Sequence, residues 1–213
     1  MNLTKPILVW DLPIRVFHWL LVITFAGAWL TAESEKYQLI HYAFGYSAGA
    51  LVLFRIAWGF TGTKYARFSD FVKGPKAVVH HLCDMSTNMH KEQYSGHNPA
   101  GSIMMVMLLL LVLAIVVTGY WNVKELYQSI AEDWHESLAN ITLWLIILHI
   151  LAAVVMSYLS KINLVKSMVT GKKLGEAVNA IPSQKRLVGL ILFISITLFF
   201  YLTLKGFFSN LTT

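Results

Sequence analysis

Five long apolar runs constrain this chain more than anything else in it: roughly Ile14–Thr31, Leu39–Phe60, Gly101–Trp121, Leu138–Leu159 and Leu187–Leu204. About 20 apolar residues, rising about 1.5 Å each in a helix, cross a hydrocarbon core of about 30 Å. Hydrocarbon offers a peptide group no partner, so runs of this length satisfy their own backbone as helices. Charged residues are 13% of the 213, and the mean hydropathy is +0.59. A soluble domain has about 25% charged residues. A soluble enzyme and a disordered chain are therefore excluded. The first run reads as a retained span, because no small-x-small cleavage site follows it and His18 and Trp19 interrupt its start. The fifth carries no Asp, Glu, Lys, Arg or His and reads as a plain anchor.

With the N-terminus inside, fourteen of the seventeen Lys and Arg fall on the cytoplasmic side, leaving Lys36, Lys124 and Lys205 outside. The positive-inside rule then puts the N-terminus in the cytoplasm and the C-terminus outside. The acids Glu33, Glu35, Glu125, Glu132, Asp133 and Glu136 lie outside. The net charge of +6 is thus a topological bias spread over separate loops, which removes nucleic acid as a partner and leaves membrane lipid. Between the second and third spans, Phe68, Phe71, Val72, Val78, Val79 and Leu82 predict a short amphipathic helix on the inner leaflet. The stretch Asn163–Pro182 reads as a second basic loop. Cys83, the one cysteine, excludes a disulfide, a CxxCH haem attachment and an iron–sulfur cluster.

Four histidines, His18, His41, His135 and His149, lie in or at the edges of the spans. An ionisable side chain in hydrocarbon is costly and points to function, although a single one is more often hydrogen-bonded to a neighbouring helix than bound to a cofactor. Depth changes that balance. His135 and His149 are 14 residues apart, about 40° short of four full turns, so they share a helix face about 21 Å apart along the axis. His18 lies near the inner end of its span, as does His149, whereas His41 and His135 both lie near the outer end. Two stacked His–His pairs are what two bis-histidine haems b require, with neutral imidazoles on opposite faces of each iron. Zinc would need three or four ligands at one depth. The small face Gly45-Tyr-Ser-Ala-Gly49 would let a flat macrocycle approach the backbone, or equally two helices pack closely. Arg15 and Arg55, at the cytoplasmic ends of their spans, are placed to pair with haem propionates or to snorkel to headgroups.

Several motifs now resemble the bacterial cytochrome b561 / nickel-hydrogenase b-type cytochrome family. They are Val9-Trp10-Asp11, Arg15-Val-Phe-His18-Trp19, His41-Tyr-Ala-Phe-Gly45, Phe54-Arg55-Ile-Ala-Trp58-Gly59-Phe60-Thr-Gly62, Tyr65-Ala-Arg67-Phe68 and Tyr94-Ser-Gly96-His97-Asn98-Pro99-Ala-Gly101, with His149 and Asn163-Leu-Val-Lys166. The resemblance covers roughly Val9 to Lys173. It implies an all-α membrane protein, a four-helix di-haem transmembrane bundle over residues 1–175 with a cytoplasmic loop at 61–100. The fifth C-terminal transmembrane helix, in 176–213, is additional to that core. It also implies two haems b, with His18 and His149 on the inner iron and His41 and His135 on the outer. A quinone or quinol site falls at His97, Asn98 and Gly101, although Asn98 before Pro99 is also a good helix cap. The implied function is electron transfer between the quinone pool and a periplasmic redox partner, a cytochrome c or a hydrogenase-like protein. Two other functions compete. A superoxide:quinone oxidoreductase would need a basic funnel outside, where this chain is acidic. A haem-binding assembly anchor would have no redox role.

Overall fold

The computed structural model describes residues 5–71, 96 and 99–206. Its five long helices are each apolar and long enough to cross a membrane: α1 (Leu12–Thr31), α2 (Gln38–Thr61), α4 (Pro99–Val123), α5 (Gln128–Ser160) and α7 (Arg186–Leu204). Shorter pieces are β1 (Lys5–Leu8), α3 (Phe68–Phe71), α6 (Leu164–Thr170) and β2 (Lys172–Gly175). Of the stretch expected to form an amphipathic helix after the second span, Phe68–Phe71 are helical as α3, and Val72, Val78, Val79 and Leu82 lie outside the described residues.

Phe17 of α1, Ala48, Leu51 and Val52 of α2, Leu109 and Val112 of α4, and Leu192 and Ile196 of α7 form one buried cluster. The fifth span therefore packs into the bundle against α1 and α2. α5 behaves differently: it packs along α4 and against α6, with at most sparse contact to α1 and α2. Much of its apolar surface, including Trp144 and Tyr158, faces outward, as suits lipid.

The two ends of the bundle differ. At one end β1 and β2 pair antiparallel, Lys5 opposite Gly175 and Leu8 opposite Lys172. The expected loop Asn163–Pro182 is thus ordered, because its backbone groups find partners in the N-terminal segment. The amides of Val9 and Trp10 both donate to Gly171 O, at 2.8 and 3.0 Å, and Ile181 N donates to Leu8 O at 2.9 Å. Gly171 closes α6 at φ 79°, and a Cβ there would lie 2.7 Å from Trp10 O, so only glycine fits. Ile7, Val9, Trp10, Ile14, Tyr65, Ala66 and Ile181 make a second small core.

Asp11 ties this sheet end to the bundle. It caps α1, accepting from Ile14 N at 2.9 Å, while its other oxygen accepts from Thr63 Oγ1 at 2.7 Å and Trp58 Nε1 at 3.0 Å. Only 1% of Asp11 is exposed, and three donors satisfy the carboxylate that burial would otherwise penalise. The opposite, acidic end carries the exposed Glu33, Glu35, Glu132, Asp133 and Glu136.

Candidate functional site

The four span histidines are brought together two by two, His41 with His135 and His18 with His149, one pair toward each end of the bundle. At the acidic end the rings of His41 on α2 and His135 on α5 stand with centroids 6.1 Å apart. Each imidazole is held from behind. His41 Nδ1 bonds Ala28 O of α1 at 2.9 Å, and His135 Nδ1 bonds Ile115 O of α4 at 2.9 Å. A carbonyl can only accept, so Nδ1 carries the proton in both rings and Nε2 is left with its lone pair. Gly119 makes room for this: a Cβ there would meet His135 Cε1 at 2.8 Å and Nδ1 at 3.0 Å.

At the sheet end, His18 on α1 and His149 on α5 lie close enough for their charges to interact. His18 Nδ1 is buried without a hydrogen-bond partner among the described residues. The Trp19 ring packs edge-on to His18 at 5.1 Å between centroids. Arg55 of α2 is 1% exposed, with Nη2 donating to Met105 Sδ at 3.6 Å and its guanidinium 5.0 Å from the centre of the Phe68 ring. Arg15 donates to Val169 O and so grips the last turn of α6.

These positions share one interval. His41 and Arg55 on α2, His135 and His149 on α5, and Gly119 and Met105 on α4 are each 14 residues apart. Each pair therefore shares a helix face at two depths about 21 Å apart.

A haem fits this arrangement. Imidazoles on opposite faces of one iron have ring centres roughly 6 Å apart, given metal–nitrogen bonds of about 2 Å and ~1 Å from nitrogen to ring centre. The acidic-end pair has that spacing, with Nε2 as the free donor on both sides. Gly45, one turn from His41, has no atom within 4 Å of where its Cβ would stand, so α2 is open there to a flat group. Among the described residues no cluster of three or more His, Cys, Asp or Glu is gathered to hold a bare metal ion. Neutral paired imidazoles suit an iron whose other four ligands come with it.

Gly101 lies in the first turn of α4. His97 and Asn98, the other two residues read as a quinone site, lie outside the described residues. Lys173 of β2 bonds Gly96 O at 3.0 Å, and its Nζ stands 5.2 Å from the centre of the Trp10 ring. Burial pushes the Lys173 ammonium down to about 8. Sequence reading assigned no role to Asp11, Lys173 or the two carbonyls. Asp11 was the findable one, since an acid two residues before a proline at a span start is a capping signal.

A family model described as prokaryotic cytochrome b561 matches residues 9–171. The chain is 23% identical over 214 residues to a protein of Rhizobium leguminosarum bv. viciae named probable Ni/Fe-hydrogenase B-type cytochrome subunit, covering 80% of this chain and 90% of that one. No solved structure matches it.

Proposed function

The chain belongs to the prokaryotic cytochrome b561 family, and from that premise we propose that it exchanges electrons between the membrane quinone pool and a redox protein on the periplasmic side. It is a multi-pass membrane protein of a family of b-type cytochromes. The spacing of His41 and His135, each aimed by a backbone carbonyl, is the observation that carries the reading. Two haems b, one between His41 and His135 and one between His18 and His149, would supply reversible one-electron exchange at iron. With His41 and His135 holding one iron and His18 and His149 the other, the chain would leave no open position for a substrate, and electron transfer is the chemistry the group would supply.

The chain's own groups do the rest. His41 and His135 present Nε2 in a fixed orientation. Arg55, and by its place on α1 Arg15, supply cations near the inner site suited to carboxylate side groups. His97, Asn98 and Gly101 form the quinone or quinol site at the start of α4, where Asn98 or His97 donates to a quinone oxygen. The sheet end faces the cytoplasm of a bacterial inner membrane, following the Lys and Arg bias. The acidic end meets the partner, a cytochrome c or, given the name of the Rhizobium relative, a hydrogenase-like protein. Acids beside His135 steer a basic surface toward the outer site and would repel superoxide.

Anaerobic mixing of the purified chain with a short-chain quinol tests the proposal. Haem reduction is expected, slowed by Asn98→Leu with the haem spectrum intact. A folded chain with two low-spin haems that no quinol reduces would sink the proposal. Unaltered kinetics in Asn98→Leu would move the quinone site elsewhere.

A further inference from the structure

We propose that Lys173 is a positioning residue for quinol binding: its ammonium holds the carbonyl of Gly96 and so fixes the chain that leads into α4. This deepens the reading of His97, Asn98 and Gly101 as the quinone site, and rests on it.

Lys173 lies in β2, opposite Ile7 of β1, and is 8% exposed. Buried lysines are rare, because burial penalises the ammonium. This one is held at two points. Its Nζ donates to Gly96 O at 3.0 Å and stands 5.2 Å from the centre of the Trp10 ring. A charged donor makes a stronger hydrogen bond than a neutral one, and an indole face attracts the same charge. With the ammonium lowered to about 8, the donor is still mostly charged at neutral pH. Gly96 is also pressed onto Tyr65, for a Cβ there would lie 2.7 Å from Tyr65 Cδ1. Tyr65 is itself fixed, its hydroxyl donating to Asn179 O at 2.8 Å and its ring set edge-on to Trp10.

Gly96 stands three residues before Pro99, the first residue of α4, and His97 and Asn98 come between them. α1 and α4 have at most sparse contact with each other. The strand pair supplies a connection. β1 runs on through Val9 and Trp10, which bind Gly171 O, to Asp11, the cap of α1. Lys173 therefore ties Gly96 to the helix that carries His18. A site whose chain is already placed loses less order when a ligand binds, and a site placed only part of the time binds more weakly in proportion.

Equilibrium binding of a redox-inert quinone analogue to the oxidised, haem-loaded chain tests this, together with stopped-flow haem reduction by a short-chain quinol. Lys173→Met should weaken analogue binding about three- to tenfold and raise the quinol concentration for half-maximal reduction by the same factor. The limiting rate and the haem spectrum should stay as they are, since the residue acts on binding alone. Gly96→Ala, which pushes the chain off Tyr65, should weaken binding as well. The double variant should bind no more weakly than the weaker single, because both act through one hold. Lys172→Met removes the same charge from the next, exposed position and should leave binding unchanged. The proposal is overturned if Lys173→Met binds as the unaltered chain does, if Lys172→Met weakens binding equally, or if the two effects multiply in the double variant. Should Lys173→Met fail to assemble, Gly96→Ala takes its place, and unchanged binding there overturns the proposal. An effect of Asn98→Leu without one of Lys173→Met would refute this inference alone, whereas no effect of either would remove the quinone site beneath it.

Discussion

The two histidine pairs share α5 and take their other members from α2 at one depth and α1 at the other, and the bundle treats them differently. At the acidic end, α1 and α4 each contribute a carbonyl that fixes a ring tautomer, and Gly119 is small enough to let the ring reach it. At the sheet end, His18 Nδ1 is buried without a partner among the described residues. The stabilising contacts there lie further out, in Asp11, Trp58, Thr63 and the strand pair. One pair is organised through its own imidazoles, the other through the frame around it. A ligand set that is already oriented loses little entropy on binding. A framed site relies on the frame to keep its helices in register.

The comparison breaks outright if the pairs are wrongly drawn, and that test has the largest effect. His18→Ala and His149→Ala should each remove the same one of two haems, and His41→Ala and His135→Ala the other, as read by haem quantitation and spectra. Loss of different haems from His18→Ala and His149→Ala would dissolve the inner pair. Next is Gly45→Ala. The new methyl meets no protein atom within 4 Å, so the polypeptide itself should tolerate it. A bound macrocycle would not, and overpacking of about 1–3 kcal/mol corresponds to a roughly 5- to 150-fold loss of haem affinity. An unchanged haem titration would mean that no flat group lies against α2 there.

Asp11→Ala sharpens the contrast from the framed side. It strands the Trp58 indole, the Thr63 hydroxyl and the first amides of α1, for about 1–3 kcal/mol. In a thermal melt followed at both haem bands, the inner band should be lost first. Parallel loss would mean that the frame serves both sites equally. The smallest effect concerns Lys173. Its ammonium is lowered to about 8 by burial, so above that pH the folded chain binds fewer protons than the unfolded one. Stability therefore rises with pH, by under about 1 kcal/mol between pH 7 and 8.5. Lys173→Met should flatten that rise in melting temperature.

The spans were legible because apolar run length is a local property, and α2 and α7 end within a residue or so of the expected limits. α5 starts ten residues before its expected apolar run, at Gln128. Hydropathy sees where a helix meets lipid, whereas Ala131, Glu132 and Glu136 extend the helix beyond it on propensity alone. The histidine faces followed from the 14-residue interval. Their carbonyl partners did not, since no residue type marks a carbonyl and its position depends on how α1 and α4 are rotated. The sheet end was illegible for a related reason. Lys5–Leu8 and Lys172–Gly175 are short and partly basic, and they become strands only in each other's presence.

That pairing also sets a clock. Leu8 and its partner Lys172 are separated by 164 positions, which at 5–20 residues per second is roughly 8–30 s of synthesis. Throughout that interval the first strand waits with a bare edge while the helices carrying His18, His41, His135 and His149 are laid into the membrane one after another. The sheet cannot close until α5 has been made. Haem arriving before closure meets helices still free to part around it, and haem arriving later must find its way into a bundle already latched at its sheet end.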